Sequence, residues 1–96
     1  MRGESNGVIH LRLYVAGHSE LSERATVNAR ALCDELGDGC ELEIVDVIAR
    51  PEIAAEDGVV TTPTLVRRTP SPERRLIGDL SDRTLIAQRL GLASAS

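Results

Sequence analysis

Two cysteines are the side chains of this sequence best suited to nucleophilic or redox chemistry. Cys33 and Cys40 are separated by six residues across the predicted end of a helix. This spacing matches neither the CxxC of dithiol redox centres nor the usual spacing of zinc ligands. Cys33 also falls on the apolar face of that helix, where a free thiol is normally buried and unreactive. A buried thiol is the favoured interpretation, and a regulatory disulfide between the two cysteines is the alternative.

The other polar residues form no recognisable catalytic or metal-binding pattern. His10 and His18 show no paired ligand spacing, so we expect surface histidines without a metal ion. Asp46, at the end of a predicted strand, and Asp79, after a predicted hairpin, resemble buried or loop-capping carboxylates more than an acid–base pair. Helix capping explains the serines near the first helix, and no glycine-rich phosphate loop precedes a helix. We therefore expect no enzyme activity and no cofactor.

The composition indicates one small domain with an almost purely aliphatic core. The chain has 96 residues, of which 42% are apolar, and Tyr14 is its only aromatic residue. A core of Leu, Ile, Val and Ala gains less free energy per buried side chain than one with large rings. We therefore expect modest stability and weak discrimination against alternative packings.

The charge pattern argues against nucleic-acid and membrane partners. The formal net charge is −4, and all 11 basic residues are arginine. No basic stripe alternates with aromatic residues, as nucleic-acid binding would favour. Residues 1–7 lack the apolar core of a secretory leader, and no segment is apolar enough to span a membrane. We expect a disordered N-terminal segment and a cytoplasmic protein.

The first half of the chain predicts a strand–helix–strand unit. Residues 8–15 alternate in period two, which is typical of a strand with one well-buried face. Apolar residues then recur at helical spacing up to Gly37, with Ser19 or Ser22 as the N-cap. Residues 42–48 form a nearly continuous apolar run, which predicts an interior parallel strand beside the first one.

The second half predicts a short helix, a hairpin and a last helix. Pro51 fits the first turn of a helical segment over residues 51–57. Residues 64–68 and 74–77 are predicted to pair as a hairpin around a proline-rich turn. Ser81 is the predicted N-cap of the last helix, which leaves residues 93–96 as a frayed C-terminus.

The order βαβαββα is that of a thioredoxin-like fold, a four-stranded mixed sheet with helices on its faces, here over residues 8–92. Pro63 precedes the third strand, where this fold places a cis-proline. The loop that should carry the redox cysteines reads AGHS at 16–19 instead. Disulfide exchange at that loop needs a thiolate near the start of the first helix, so a thiol oxidoreductase is disfavoured. Function is expected to lie in binding.

Several short motifs resemble one known family. They are LRLYVAG at 11–17, VDV at 45–47, TPTL at 62–65 and RRLIGDLS at 74–81, with Pro51, Ala54 and Asp57 between them. In this order and at this near-constant spacing, they resemble the circadian clock protein KaiB family from about Leu11 to Leu92.

The resemblance implies a regulatory protein without a catalytic site. KaiB-like proteins interconvert between a thioredoxin-like monomer and a ground state in which the C-terminal half packs differently and the chain forms a tetramer. The thioredoxin-like form binds the ring ATPase KaiC, modulates its phosphorylation and ATPase cycle, and helps to sequester KaiA. The expected partners are therefore a KaiC-type ATPase, a KaiA-like protein and further copies of this chain, as a tetramer or dimer.

The resemblance also implies site residues. Residue matching places Arg24, Ala54, Asp57 and Arg75 at the partner-binding surface, and Pro63, Pro70, Pro72 and Gly91 at the fold switch. Since X-Pro isomerisation takes roughly tens to hundreds of seconds, we hypothesise that at least one of the three prolines differs in isomer between two forms. The alternative is that Pro70 and Pro72 only stiffen a turn.

A second function remains open at this point. A KaiB-like, thioredoxin-fold adaptor without a clock role, perhaps in stress signalling, would keep one conformation permanently. Binding to a KaiC-type ring would separate this alternative from the clock function.

Overall fold

The computed structural model describes residues 8–92, and the predicted order of elements is confirmed. The expectations for residues 1–7 and 93–96 lie outside the described residues. The elements are β1 (Ile9–Val15), α1 (Glu20–Leu36), a 3₁₀ turn (Gly37–Gly39), β2 (Cys40–Asp46), α2 (Pro51–Glu56), β3 (Thr64–Thr69), β4 (Arg74–Ile77) and α3 (Arg83–Leu90).

The sheet has the strand order β2-β1-β3-β4. The strands β1 and β2 are parallel, with Leu11 opposite Leu42, and β3 runs antiparallel to both β1 and β4. The prediction that the second strand lies beside the first is confirmed, but the prediction that it is interior is wrong. Its apolar residues are partly buried on the face toward α1, and Val45 is buried on the other face beside Ala54, neither of which requires pairing on both edges. The strand also ends at Asp46, and Ile48 beyond it is largely exposed.

The larger core cluster lies between the sheet and the two longer helices. Helix α1 contributes Ala25, Ala29 and Leu32, which recur at the spacing that places residues on one helical face. They pack with residues of the sheet, of α3 and of the segments on either side of α3, all 6% exposed or less: Leu11, Leu13, Val15, Leu65, Leu76, Leu80, Ile86, Leu90 and Leu92. Burial of each leucine side chain stabilises the fold by roughly 1.5–3 kcal/mol.

A smaller cluster covers the opposite face of the sheet. It consists of Tyr14, Val45, Ala54 and Val66, with α2 as its lid. The expectation that β1 has one buried face is therefore incomplete, because Tyr14 is fully buried on the other face. The six-residue helix α2 covers this face near the C-terminal end of β1, where Tyr14 lies. Arg12, two residues earlier on the same face, remains partly exposed.

The N-terminus of α1 is capped by Ser19 and not by Ser22. Ser19 Oγ accepts a hydrogen bond from the Ser22 backbone N–H at 3.2 Å. Ser22 is buried, and its own Oγ accepts from the Ala16 N–H at 3.1 Å. The two serines therefore fix both the start of the helix and the loop that enters it.

The N-cap of α3 is Asp82, so the prediction of Ser81 is wrong. Asp82 Oδ1 accepts from the Leu85 N–H at 3.0 Å. Ser81 instead belongs to the preceding loop, where its backbone N–H donates to Asp79 Oδ1 at 3.1 Å. The helix ends at Gly91 in the left-handed conformation, with φ of 66°.

Candidate functional site

The most densely connected polar site is centred on Asp57, the residue that follows α2. Asp57 Oδ2 accepts hydrogen bonds from Arg12 Nη1 at 3.1 Å, from Arg68 Nη1 at 2.8 Å and from the Tyr14 hydroxyl. Arg12 also donates its Nε to Glu43 Oε1 at 2.9 Å. We call these five residues the Asp57 cluster. It connects β1, β2 and β3 to the end of α2.

Strand geometry explains how these residues meet. Arg12 and Tyr14 are two residues apart on β1, so both side chains lie on the face that α2 covers. Arg12 is paired with Val66 on β3, and Arg68 is two residues further along the same face. The short helix α2 ends over this part of the sheet, which places Asp57 within hydrogen-bond distance of both arginines.

The cluster shifts the pKa values of its members. Burial by itself would raise the pKa of Asp57, but the Tyr14 hydrogen bond and the charges of Arg68 and Arg12 outweigh it, so the pKa lies below its ordinary value. Burial, followed by the hydrogen bond to Asp57, raises the pKa of Tyr14. The cluster therefore holds a carboxylate and a neutral phenol at neutral pH.

Arg75 connects the residues after α2 to strand β4. Its guanidinium donates to the carbonyl oxygen of Asp57 and to that of Gly58, the second at 3.5 Å. Ala54 packs in the smaller core cluster and is only 6% exposed. The structure thus brings together three of the four predicted partner-binding residues, of which Arg75 is the exposed one.

The fourth residue, Arg24, lies elsewhere. It is exposed on α1, which packs against the opposite face of the sheet, and it pairs with Glu20 at 3.1 Å and Asp79 at 3.4 Å. The Ser81 side chain and backbone N–H, together with Arg24, lower the pKa of Asp79. Asp79 is therefore a loop-capping carboxylate, as predicted.

An open depression lies next to Arg75. It has a volume of about 360 Å³ and is bounded by the segment after α2, by β4 and by α3. Val60 and Ile77 on its rim are 95% and 61% exposed. An exposed arginine beside exposed aliphatic side chains can contact a protein partner through both charge and apolar surface.

The predicted fold-switch residues lie in three separate places. Pro63 is buried before β3, where its carbonyl oxygen accepts from the Gly78 N–H at 3.0 Å, whereas Pro70 and Pro72 are exposed between β3 and β4. The peptide bonds preceding all three prolines are cis. Gly91 ends α3.

The loop at residues 16–19, where thioredoxin-like proteins carry redox cysteines, has a structural role. Asp46 Oδ1 accepts from the Gly17 N–H at 3.1 Å and from the Ile48 N–H at 2.9 Å, and these bonds lower the pKa of Asp46. His18 in this loop is almost fully exposed. Across residues 8–92, no group of three or more His, Cys, Asp or Glu is placed to hold a metal ion. Within the same range, no helix is long and apolar enough to cross a bilayer.

The two cysteines differ from the favoured interpretation. Both are free and half-buried, so Cys33 is less buried than the favoured interpretation expects. Burial raises the pKa of the Cys40 thiol to about 12.

Arg12, Tyr14 and Arg68 were missed as site residues. One usable signal was the placement of a charged and an aromatic residue on the same face of the first strand. A second was the pair Arg67-Arg68 inside a predicted strand, since at least one of two successive charges there must face a covered side of the sheet.

The sequence and the fold are similar to those of known proteins. Residues 12–92 match the family model of the KaiB domain. The circadian clock protein KaiB3 of Synechocystis is 44% identical over 75 residues, covering 77% of this chain and 74% of the relative. The circadian clock oscillator protein KaiB of Prochlorococcus marinus (strain MIT 9312) is 42% identical over 83 residues, covering 85% of this chain and 79% of the relative.

Solved structures share the thioredoxin-like fold at lower identity. The N-terminal domain of Synechococcus elongatus SasA superposes with a TM-score of 0.68 at 23% identity, covering 84% of this chain and 78% of that one. Fasciola hepatica thioredoxin gives a TM-score of 0.71 at 24% identity, with coverages of 88% and 80%. These structures confirm the fold, and the sequence matches over most of the chain establish that this protein belongs to the KaiB family of circadian clock proteins.

Proposed function

We propose that this chain binds a KaiC-type ring ATPase and modulates its phosphorylation and ATPase cycle. It would act in the cytoplasm as a regulatory partner without catalysis of its own, with a KaiA-like protein as a further partner. The observation that carries the proposal is the match to the KaiB domain over residues 12–92, in a chain that adopts the thioredoxin-like packing.

The surface around Arg75 is the proposed docking site. Arg75 supplies an exposed guanidinium for acidic groups of the partner, and Val60 and Ile77 supply apolar contact area. Asp57 and Ala54 would act by positioning, because one is hydrogen-bonded within its cluster and the other is buried under α2.

Arg24 would contribute from the other side of the molecule. Its guanidinium is about half exposed and is already paired with two carboxylates. Surface pairs of this kind contribute little to stability, so they can exchange for a partner carboxylate at small cost.

A change of fold is the second part of the proposal. The C-terminal half, from β3 onward, would repack in a tetrameric or dimeric ground state, with Pro63, Pro70, Pro72 and Gly91 at the points of change. Support comes from family membership and from the aliphatic core, in which Tyr14 is the only large ring. Two packings can then lie within a few kcal/mol of each other.

Binding to a KaiC-type hexamer tests the first part. Arg75→Ala should weaken binding about tenfold to a hundredfold, as expected for an arginine at the centre of an interface. Arg74→Ala is the matched control, because it removes the same charge from the neighbouring, exposed residue of β4. Arg24→Ala should weaken binding less, with Arg30→Ala on the same helix as its control.

Each variant should be measured by size-exclusion chromatography and by titration with ATP-loaded and ADP-loaded rings. Equal affinities of the Arg75→Ala and Arg74→Ala variants would contradict the proposed surface. Failure of the unmodified chain to bind in every nucleotide state would contradict the function itself and would leave the adaptor without a clock role.

A further inference from the structure

We propose that Arg67 is a built-in destabilising element of the thioredoxin-like packing, a buried cation whose release from the core favours repacking of the second half of the chain. The effect on stability follows from the contacts of Arg67 alone. The role in a change of fold rests on the proposed function.

Arg67 lies on β3 and faces the larger core. Leu65, two residues earlier on the same strand, and Leu11, opposite Arg67 on β1, are both fully buried in that core. Arg67 itself is only 7% exposed, and no other charged residue among residues 8–92 is buried to this extent. Its guanidinium is therefore largely removed from water, so its stability depends on the partners that it finds inside the protein.

The guanidinium has few such partners. Its Nη2 donates to the carbonyl oxygen of Pro72 at 2.7 Å, whereas its Nε is buried and has no hydrogen-bond partner in the part of the chain that the structure describes. Within residues 8–92 no carboxylate pairs with Arg67, although the adjacent Arg68 pairs with Asp57 at 2.8 Å on the other face of the sheet. A buried cation without a counter-charge, and a donor without an acceptor, both destabilise the fold.

The end of α3 compensates this charge only in part. Gly91, which ends the helix, lies so close that a β-carbon added there would be 3.8 Å from Arg67 Nη1. The C-terminal end of a helix carries about half a negative elementary charge, which is less than a carboxylate supplies. Arg67 thus lies between the turn that contains Pro72 and the end of α3, and both are predicted points of change in the proposed repacking.

A packing that returns Arg67 to water would remove this destabilisation. Because the guanidinium stays protonated at every physiological pH, its burial cannot be relieved by the loss of a proton, as the burial of a lysine can. The thioredoxin-like form is therefore disfavoured relative to any form in which Arg67 is hydrated or paired with a carboxylate.

Thermal unfolding of matched variants tests the effect on stability. Arg67→Met places an apolar side chain of similar length beside Leu11 and Leu65, and it should raise the melting temperature by roughly 4–8 °C. Arg68→Met is the matched control, because the same substitution at the next residue breaks the ion pair with Asp57 and should lower the melting temperature. Calorimetry at low protein concentration is the measurement, since dilution favours a monomer.

A second apolar variant, Arg67→Leu, repeats the test with a side chain of different shape, so a packing fault in one variant does not decide the result. A melting temperature that is unchanged or lower in both Arg67 variants would overturn the proposal, and failure of both variants to fold would have the same meaning. An equal rise in Arg68→Met would overturn it too, because the gain would then come from added apolar surface on β3.

Light scattering over a range of concentrations tests the role in the change of fold. If the unmodified chain assembles into a dimer or tetramer, Arg67→Met should move the midpoint of assembly to a concentration at least about fivefold higher, because it stabilises the monomeric form. An unmoved midpoint would overturn this role. A monomer at every concentration in the unmodified chain would instead contradict the proposed change of fold, and the melting temperatures would still decide whether Arg67 destabilises this packing.

Discussion

Asp57 shows how one carboxylate can hold three surrounding side chains in place. A partly buried carboxylate is unfavourable unless donors replace its lost hydration, and Asp57 has three donors on one oxygen. Its side chain is 17% exposed, so these charge-assisted bonds are screened less than those at the open surface. The end of α2 is therefore fixed to the sheet by electrostatics as well as by the packing of Ala54.

Replacement of Asp57 should destabilise the protein. Asp57→Asn removes the negative charge between Arg12 and Arg68 and leaves both guanidinium groups without that partner. We expect a loss of about 1–3 kcal/mol in the free energy of unfolding, measured by urea denaturation. Glu56→Gln is the control, since it removes one charge from the neighbouring exposed residue and should change stability by less than about 0.5 kcal/mol. Equal stabilities of the two variants would show that the cluster contributes nothing.

The contribution of Asp57 should also depend on pH. Its pKa in the folded state is lowered, so its stabilising effect is complete above the unfolded value of about 3.9 and is lost as pH falls through the folded value. The stability difference between the unmodified chain and Asp57→Asn should therefore be constant from about pH 7 to pH 5 and shrink below about pH 4. Urea titrations at several pH values measure it. A difference that grows toward acid pH would contradict the direction of the shift.

At the scale of elements, capping decides where the helices begin. Ser19→Ala removes the acceptor for the Ser22 N–H at the start of α1 and should cost about 1 kcal/mol. For a domain of this size, the melting temperature should fall by roughly 4–8 °C. His18→Ala is the control, because the side chain of His18 is 95% exposed. Calorimetry that shows equal melting temperatures for both variants would mean that Ser19 is not an effective cap.

The sequence predicted the type of each helix and strand better than its position in the sheet or its capping residue. The alternation in β1 and the helical spacing in α1 each report one local period, and both elements were found within one or two residues of the expected bounds. The apolar run of β2 indicates which of its residues can be buried but not how many of its edges are paired, so its edge position could not be predicted. The cap of α3 was misplaced because Ser81 and Asp82 are both good capping residues, and the backbone N–H of Ser81 is bonded locally to the Asp79 side chain while Asp82 accepts from the Leu85 N–H.

The site was predicted only in part for a similar reason. The family motif identified Asp57, but its partners Arg12 and Arg68 lie 45 and 11 residues away along the chain. No local period links such positions. Their contact depends on the register of β1 against β3 and on the end of α2.

At the scale of the whole molecule, β1 ties the two halves of the chain together. It pairs with β2 from the first half and with β3 from the second, and it contributes to both core clusters. The second half adds the β3–β4 hairpin and α3, which reach the first half through the β1–β3 pairing, the larger core and the Asp57 cluster. If the second half repacks as proposed, these three contacts must be replaced together.

Hydrogen exchange measured by mass spectrometry tests this repacking. The hypothesised X-Pro isomerisation is slow, and the proposed change involves residues 64–92 as one unit. Peptides from that range should therefore show two isotope envelopes that interconvert, whereas peptides of β2 should show one. The β2 peptides are the internal control, since they share the solvent and time course and their strand pairs with β1 inside the first half. Addition of a KaiC-type ring that binds the thioredoxin-like form should change the ratio of the two envelopes, because a ligand shifts the population toward the form it binds. Single envelopes throughout the chain, together with a monomer by light scattering at every concentration, would show that this KaiB-family chain keeps one fold.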